Sequence, residues 1–437
     1  MSKQDKLIPE LRFPEFNSKG EWVEKKISEL GETVNGLTGK SGEDFGAGKP
    51  FVTYKQVFDS SIIDFEKCGK VKISANENQN TLQRGDVLFT TSSETQHEVG
   101  FASVLVDSPN ESTYLNSFCF SLRPFNIKDT LPEFSRYLFH SPVYRKAISA
   151  LAQGSTRYNI SKGAFLNLKL PIPKPNEQFK IASCLSSLDQ VISAHSQKLE
   201  LLKNNKKGLM QILFPIECEK VPRYRFNGFE KDGDWVEKSI QSLIHEKFIV
   251  SHLDGNHGSL YPKAEEFSKE GIPYITANDF ISGLIDFSNC KFLPLNKAKQ
   301  FKKGVAKNGD ILFAHNATVG PVAKLVTSFP YVILSTTATY FRCDNENLIN
   351  DFLLYALISP SFIKQYTRVM TQSTRNQVPI TTQREFFLQL PLPNEQKKVA
   401  SSLSSLDALI TGQIEIIEQL KLHKKGLMQG LFPNIKD

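Results

Sequence analysis

Two short polar segments hold the side chains best suited to recognition chemistry: Ser155-Thr156-Arg157-Tyr158-Asn159 and Ser373-Thr374-Arg375-Asn376-Gln377. An arginine fork pairs bidentately with a guanine edge or holds a phosphate, and an asparagine or glutamine amide pairs with adenine. Tyr158 adds a ring that stacks and a hydroxyl that reaches a backbone. Polar segments of a second kind follow a Gly-Asp turn: Thr90-Thr91-Ser92-Ser93-Glu94-Thr95-Gln96-His97 and His315-Asn316-Ala317-Thr318. A third kind, Tyr54-Lys55-Gln56 and Thr276-Ala277-Asn278, follows a short apolar run. Any one of these, taken alone, reads as a solvated loop. Recurrence at matching places in both halves of the chain favours a binding surface for the Ser-Thr-Arg segments, and favours it less for the others.

Catalytic constellations do not assemble from this sequence. Gly39-Lys40-Ser41 and Gly48-Lys49 lack the earlier glycines of a phosphate loop, and Pro50 follows the second lysine. Phe45-Gly46-Ala47-Gly48 lacks the glycine spacing of a methyl-donor site, and no Asn/Asp-Pro-Pro-Tyr/Phe motif occurs. Glu24-Lys25-Lys26 suggests part of a nuclease site, but its repeat carries Ser239 in place of the second lysine, so a solvated charged face explains it better. The eight histidines show no metal-ligand spacing; His252 and His257 are neighbours without a carboxylate or cysteine companion. No metal and no cofactor is expected on this chain.

The elements that must position the polar segments are set by an internal repeat. Asn176-Glu177-Gln178 opens a stretch that closes with Lys206-Lys207-Gly208-Leu209-Met210-Gln211 and Leu213-Phe214-Pro215. Asn394-Glu395-Gln396 opens a second, which closes with Lys424-Lys425-Gly426-Leu427-Met428-Gln429 and Leu431-Phe432-Pro433. The copies align without a gap. In the first, Ile181, Leu185, Leu188, Ile192, His195, Leu199, Leu202 and Leu209 step mostly by four and three; in the second, Val399, Leu403, Leu406, Ile410, Ile417, Leu420 and Leu427 keep the register. This is a heptad seam on an otherwise polar surface. Prolines precede each run and none interrupts it, which predicts two helices of about 36 residues and roughly 54 Å. Matched length and register predict that they pair with each other. His195 reads as a polar register residue on the seam rather than a ligand.

A shorter repeat makes the order cyclic. Leu11-Arg12-Phe13, Phe16 and Glu21-Trp22-Val23-Glu24-Lys25-Lys26-Ile27 match Tyr224-Arg225-Phe226, Phe229 and Asp234-Trp235-Val236-Glu237-Lys238-Ser239-Ile240. Arm, variable region and helix then occur twice, which predicts an antiparallel helix pair, a variable domain at each end, and termini close together. The variable regions, roughly 31–172 and 244–390, share a plan. Pro50–Tyr54 matches Pro273–Thr276, Ile62–Phe65 matches Leu284–Phe287, and Gly85-Asp86 and Gly309-Asp310 lead into apolar strands. Each region reads as an α+β domain with a twisted, mostly antiparallel sheet. The expected domains are 1–175, a helix at 176–215, 216–393, and a helix at 394–437.

At 437 residues the chain exceeds one core. The net charge of +7 tilts weakly toward a polyanionic partner. Six scattered cysteines without a CxxC pair suggest reduced thiols, and no apolar run reaches the length of a membrane span, so a cytoplasmic location is expected.

In its cyclic order of arm, variable domain and Asn-Glu-Gln-headed helix, the chain resembles the specificity subunit of type I restriction–modification enzymes over essentially its whole length. The resemblance implies α+β target recognition domains that each read one half of a split, asymmetric double-stranded DNA site. It implies spacer helices that fix the gap between the halves and dock two modification subunits. It further implies adenine methylation, and cleavage of unmethylated DNA with restriction (motor-nuclease) subunits, with S-adenosylmethionine, ATP and Mg2+ held by those partners. Two other readings are a coiled-coil scaffold without DNA recognition, which leaves the doubled loops unexplained, and a fused methyltransferase or nuclease, which needs the missing motifs.

Overall fold

The computed structural model describes residues 7–154, 157–255, 260–281, 283–372 and 376–434. Contacts divide the chain into two units, Met1–Ser196 with Glu415–Asp437, and Gln197–Ile414. Each unit therefore takes one half of each long helix.

The two helices run Pro175–Leu213 and Pro393–Gly430, 39 and 38 residues. Each begins on a proline, whose missing N–H costs nothing in the first turn. Within the first unit the start of the first helix meets the end of the second, where Lys424 Nζ lies 2.5 Å from Asp189 Oδ1. Within the second unit the arrangement is the converse, and Lys206 Nζ lies 2.6 Å from Asp407 Oδ1. Ile181, Leu185, Val399, Leu403 and Ile417 are buried, while Leu188, Ile192, Leu199, Leu202, Leu406, Ile410 and Leu420 are half-buried. The seam is thus deepest near the start of each helix. There Ile181 and Leu185 join the core formed by Trp22, Phe134 and Phe432, and Val399 and Leu403 join the core formed by Trp235, Phe352 and Phe214.

In the first unit an antiparallel sheet runs in the order Gly31–Asn35, Cys119–Pro124, Val87–Thr90, Ala102–Val104. In the second the order is Ile249–Asp254, Ala338–Cys343, Ile311–Asn316, Thr318–Lys324, again antiparallel. A smaller sheet with one parallel pairing accompanies each. The Gly-Asp turns have a packing role. Asp86, fully buried, receives Arg123 at 2.9 and 2.7 Å, and Asp310 receives Arg342 at the same distances. Each carboxylate also caps its own turn, from Gln83 N and Lys307 N.

Two expected strands differ. The run Pro50–Tyr54 ends its strand at Val52, because the Thr53 hydroxyl accepts from Gln56 N and starts a helix, Tyr54–Asp59. Ile62–Phe65 forms only a single bridge, Ile62 to Val104, because the Asp64 carboxylate turns the chain into the short helix Phe65–Lys67. Its counterpart Leu284–Ile285 is a strand.

Candidate nucleic-acid interface

In the first unit two of the three polar segments come together. Tyr158–Asn159 pairs antiparallel with Ser92–Ser93, and the Ile160 N–H donates to Thr91 O at 3.1 Å. Asn159 also exchanges backbone hydrogen bonds with Gln153. Gly154, at φ +135°, is required there: a Cβ would lie 2.1 Å from the Arg157 carbonyl oxygen. The third segment reaches the same place, because the Tyr54 hydroxyl donates to Ser92 O at 2.7 Å. Burial raises the Tyr54 pKa.

Exposure then sorts the candidates. Arg157, Asn159, Thr95, Gln96 and Lys55 are exposed and Tyr158 is half-buried. Lys55 pairs with Asp59, one turn on. Thr90 is fully buried, and its hydroxyl accepts from Phe101 N at 3.1 Å, so it closes the sheet rather than facing a ligand. Ser92 and Ser93 are buried as well; Ser93 donates to Glu98 at 3.1 Å. A run of hydrogen-bonding side chains with little apolar content reads as a polar loop, but the pairing with 158–159 makes them strand. Ser155 and Thr156 lie outside the described residues.

Two bracing residues carried no signal in the sequence. Glu98 accepts from Ser93 and, at 2.7 Å, from Thr95. Arg145 donates to the carbonyls of His97, Val99 and Gly100 at 2.6, 2.9 and 3.1 Å and lies over the Phe101 ring. Arg145 lies more than 40 residues from the carbonyls it holds, whereas Glu98 directly follows the Thr90–His97 segment; both were legible only as charged side chains.

The second unit repeats the arrangement. Asn316 bridges Gln377, the Ala317 N–H donates to Asn376 O at 3.0 Å, and the Asn376 side chain donates to Ala317 O at 2.7 Å. Ala317, at φ +63°, forms the tip of the hairpin between Ile311–Asn316 and Thr318–Lys324. Asn278, Thr318 and Asn376 are exposed, and Asn316 and Gln377 half-buried. Thr276 is half-buried and bonded to Asp279 through both its N–H and its hydroxyl, so it caps a turn. His315 is buried, with Nδ1 3.1 Å from Val378 O, and faces the core rather than a groove. Ser373, Thr374 and Arg375 lie outside the described residues. Among the described residues no group of three or more His, Cys, Asp or Glu side chains is placed to hold a metal ion, and no helix is long and apolar enough to cross a membrane.

The comparison with known families decides what these paired surfaces belong to. Residues 19–204 and 235–422 each match the type I restriction modification DNA specificity domain. The chain belongs to that family. It is a type I specificity subunit with two target recognition domains, and catalysis resides in partner subunits. Among similar proteins, the type I restriction enzyme MjaVIII specificity subunit of Methanocaldococcus jannaschii is 26% identical over 435 residues, covering 96% of this chain and 93% of its own. The EcoKI specificity subunit of Escherichia coli is 24% identical over 303 residues, 67% of this chain and 61% of that one. The crystal structure of an S subunit from M. genitalium aligns with a TM-score of 0.58 at 16% identity, covering 98% of this chain and all of that one, and so shares the fold.

Proposed function

We propose that each target recognition domain of this specificity subunit reads one half of an asymmetric bipartite site in double-stranded DNA. In the first, Arg157, Asn159, Thr95 and Gln96 form the reading surface; in the second, Asn376, Gln377, Asn316, Thr318 and Asn278 form it. The observation that carries the reading is the pairing of two distant polar segments at the same place in each unit, 92–93 with 158–159 and 316–317 with 376–377. A solvated loop has no reason to be so braced twice. The side chains at the two places differ, so the two half-sites differ.

The spacer helices set the gap between half-sites and dock two modification subunits, which hold S-adenosylmethionine and methylate adenine. Restriction subunits with ATP and Mg2+ cleave unmethylated DNA. Two repeat-equivalent grooves support two copies of one partner. One of about 720 Å³ is lined by Lys203, Lys207, Met210 and Ile358, and one of about 480 Å³ by Lys421, Lys425, Met428 and His140. Val191 and Leu409, also equivalent, leave apolar side chains exposed on the helices.

The test is to express the chain with its modification subunits and map methylated adenines across the host genome. A split motif of two unlike halves with a constant gap is the expected result; methylation without a split motif refutes the reading.

A further inference from the structure

The two units support their reading loops by different chemistry. In the first, Phe89, Phe120 and Phe165 form a ring cluster with centroids 5.4, 4.8 and 5.1 Å apart. Register places Phe313 opposite Thr339 in the second unit, as Phe89 lies opposite Phe120. Gln383 occupies the place of Phe165: each lies three residues before the residue whose carbonyl receives the arm, Leu168 from Ile27 N and Phe386 from Ile240 N. Two of the three rings are thus replaced by polar side chains, and both are fully buried.

The polar replacements form a directed network. Gln383 Nε2 donates to Val378 O at 3.0 Å. A carbonyl only accepts, which fixes the amide's orientation and turns Oε1 toward Thr339 Oγ1 at 3.0 Å and His252 Nε2 at 3.2 Å. His252 therefore carries its proton on Nε2, and its ring stacks on Phe341 at 4.2 Å. The same logic makes His315 Nδ1 a donor to Val378 O, and the Val378 N–H returns a bond of 2.8 Å to His315 O. Residue 378 is thereby tied directly to the strand carrying His315 and to the helix Ile380–Glu385 that carries Gln383, and through Gln383 to the strands of His252 and Thr339, all by buried side chains. It directly follows Asn376 and Gln377.

We propose that Gln383 is a positioning residue for recognition: it sets the height of Asn376 and Gln377 over the second sheet, and selection of the second half-site depends on it. The inference rests on the reading of Asn376 and Gln377 as groove-facing side chains. A base contact fails when its donor shifts by a fraction of an ångström, because hydrogen bonds weaken steeply with distance and angle. Gln383 and His315 hold the Val378 carbonyl together from beneath, so loss of Gln383 leaves the loop tied through His315 alone and loosens it without removing any reading side chain. Among the described residues of the first domain Phe165 stands at this place and offers no such bond, so that domain is untouched.

The experiment uses the assembled modification complex and maps methylated adenines in host DNA for four variants. Gln383→Met keeps volume and removes every bond of the amide. It is expected to lower discrimination at the second half-site about tenfold and to leave the first unchanged. Gln383→Glu keeps size and acceptor atoms but loses the N–H donor to Val378; it carries the same expectation and covers a Gln383→Met chain that fails to assemble. Leu353→Ala loosens the same core away from the loop and is expected to lower total methylation at an unchanged motif. The double variant Asn376→Ala, Gln377→Ala tests the reading itself. If that double variant relaxes the second half-site while both Gln383 variants keep it, the positioning role is overturned alone. If the double variant leaves the motif intact, the underlying reading falls with it.

Discussion

Arg12 grips Glu177 with two parallel hydrogen bonds of 2.8 Å, and both side chains are almost wholly buried. Arg225 grips Glu395 in the same way, at 2.8 and 2.7 Å. Each arginine lies on an arm and each glutamate in the first turn of a long helix. The neighbouring glutamines complete the joint. Gln178 bonds the carbonyls of Pro173 and Asp129 and the N–H of Leu131; Gln396 bonds those of Pro391, Asn347 and Ile349. The Asn-Glu-Gln heading is therefore the fitting that locks helix to recognition domain.

Removing one partner of a buried, doubly bonded pair strands a charge. Arg12→Ala or Arg225→Ala is expected to cost about 3–5 kcal/mol of stability in its own unit. Chemical denaturation followed by unit-specific hydrogen exchange measures this; a loss below about 1 kcal/mol contradicts the burial argument.

Phe432 stacks on Phe134 at 5.8 Å and meets Trp22 edge-on at 5.9 Å, as Phe214 does Phe352 and Trp235. Phe432→Ala and Phe214→Ala are each expected to cost about 3–5 kcal/mol. Thermal unfolding of the two variants checks this, and equal values would confirm that the two joints are energetically matched.

Arg157→Ala is expected to weaken selection at the first half-site by about 1–3 kcal/mol per lost base contact and to leave the second untouched. Competition between DNA duplexes altered in one half-site at fixed salt reads this directly. Equal loss at both half-sites would mean that Arg157 serves a phosphate shared by all sequences.

Inserting one heptad into both helices, after Ile192 and after Ile410, keeps the seam in register and is expected to lengthen the preferred gap with both half-sites unchanged. An unaltered gap in the methylation map rejects the ruler role.

Burial holds His140 at about 4 and His252 at about 3, below the ordinary 6.5. The unfolded chain then binds protons that the folded chain does not, so stability is complete above about pH 6.5 and falls as pH drops toward 4 and 3. His140→Gln, which keeps a donor for the Ala102 carbonyl 2.7 Å away, is expected to flatten the acid limb of the first unit. An unchanged slope would place the acid sensitivity elsewhere.

The repeat, the long helices and the Gly-Asp turns could be read from the chain because each rests on local spacing or on recurrence; the meeting of the paired loops could not, since it depends on strand pairing between distant segments. The partners of Glu177 and Asp86 could not, since they lie 165 and 37 residues away. Nor could the inward turn of Thr90, Ser92, Ser93 and His315: a polar side chain in a strand announces its chemistry but not its face until the neighbouring strand is known. Tyr54 shows the same limit, since a threonine hydroxyl one residue earlier converts an apparent strand into a helix.

The doubled fitting at Glu177 and Glu395 has an evolutionary consequence. Each recognition domain meets its helices through the same few side chains, whatever lies on its outer surface. A recombination event between the two matching helix segments would therefore deliver a foreign domain already equipped with the right plug. On this geometry a change of reader would need no redesign of the frame that carries it.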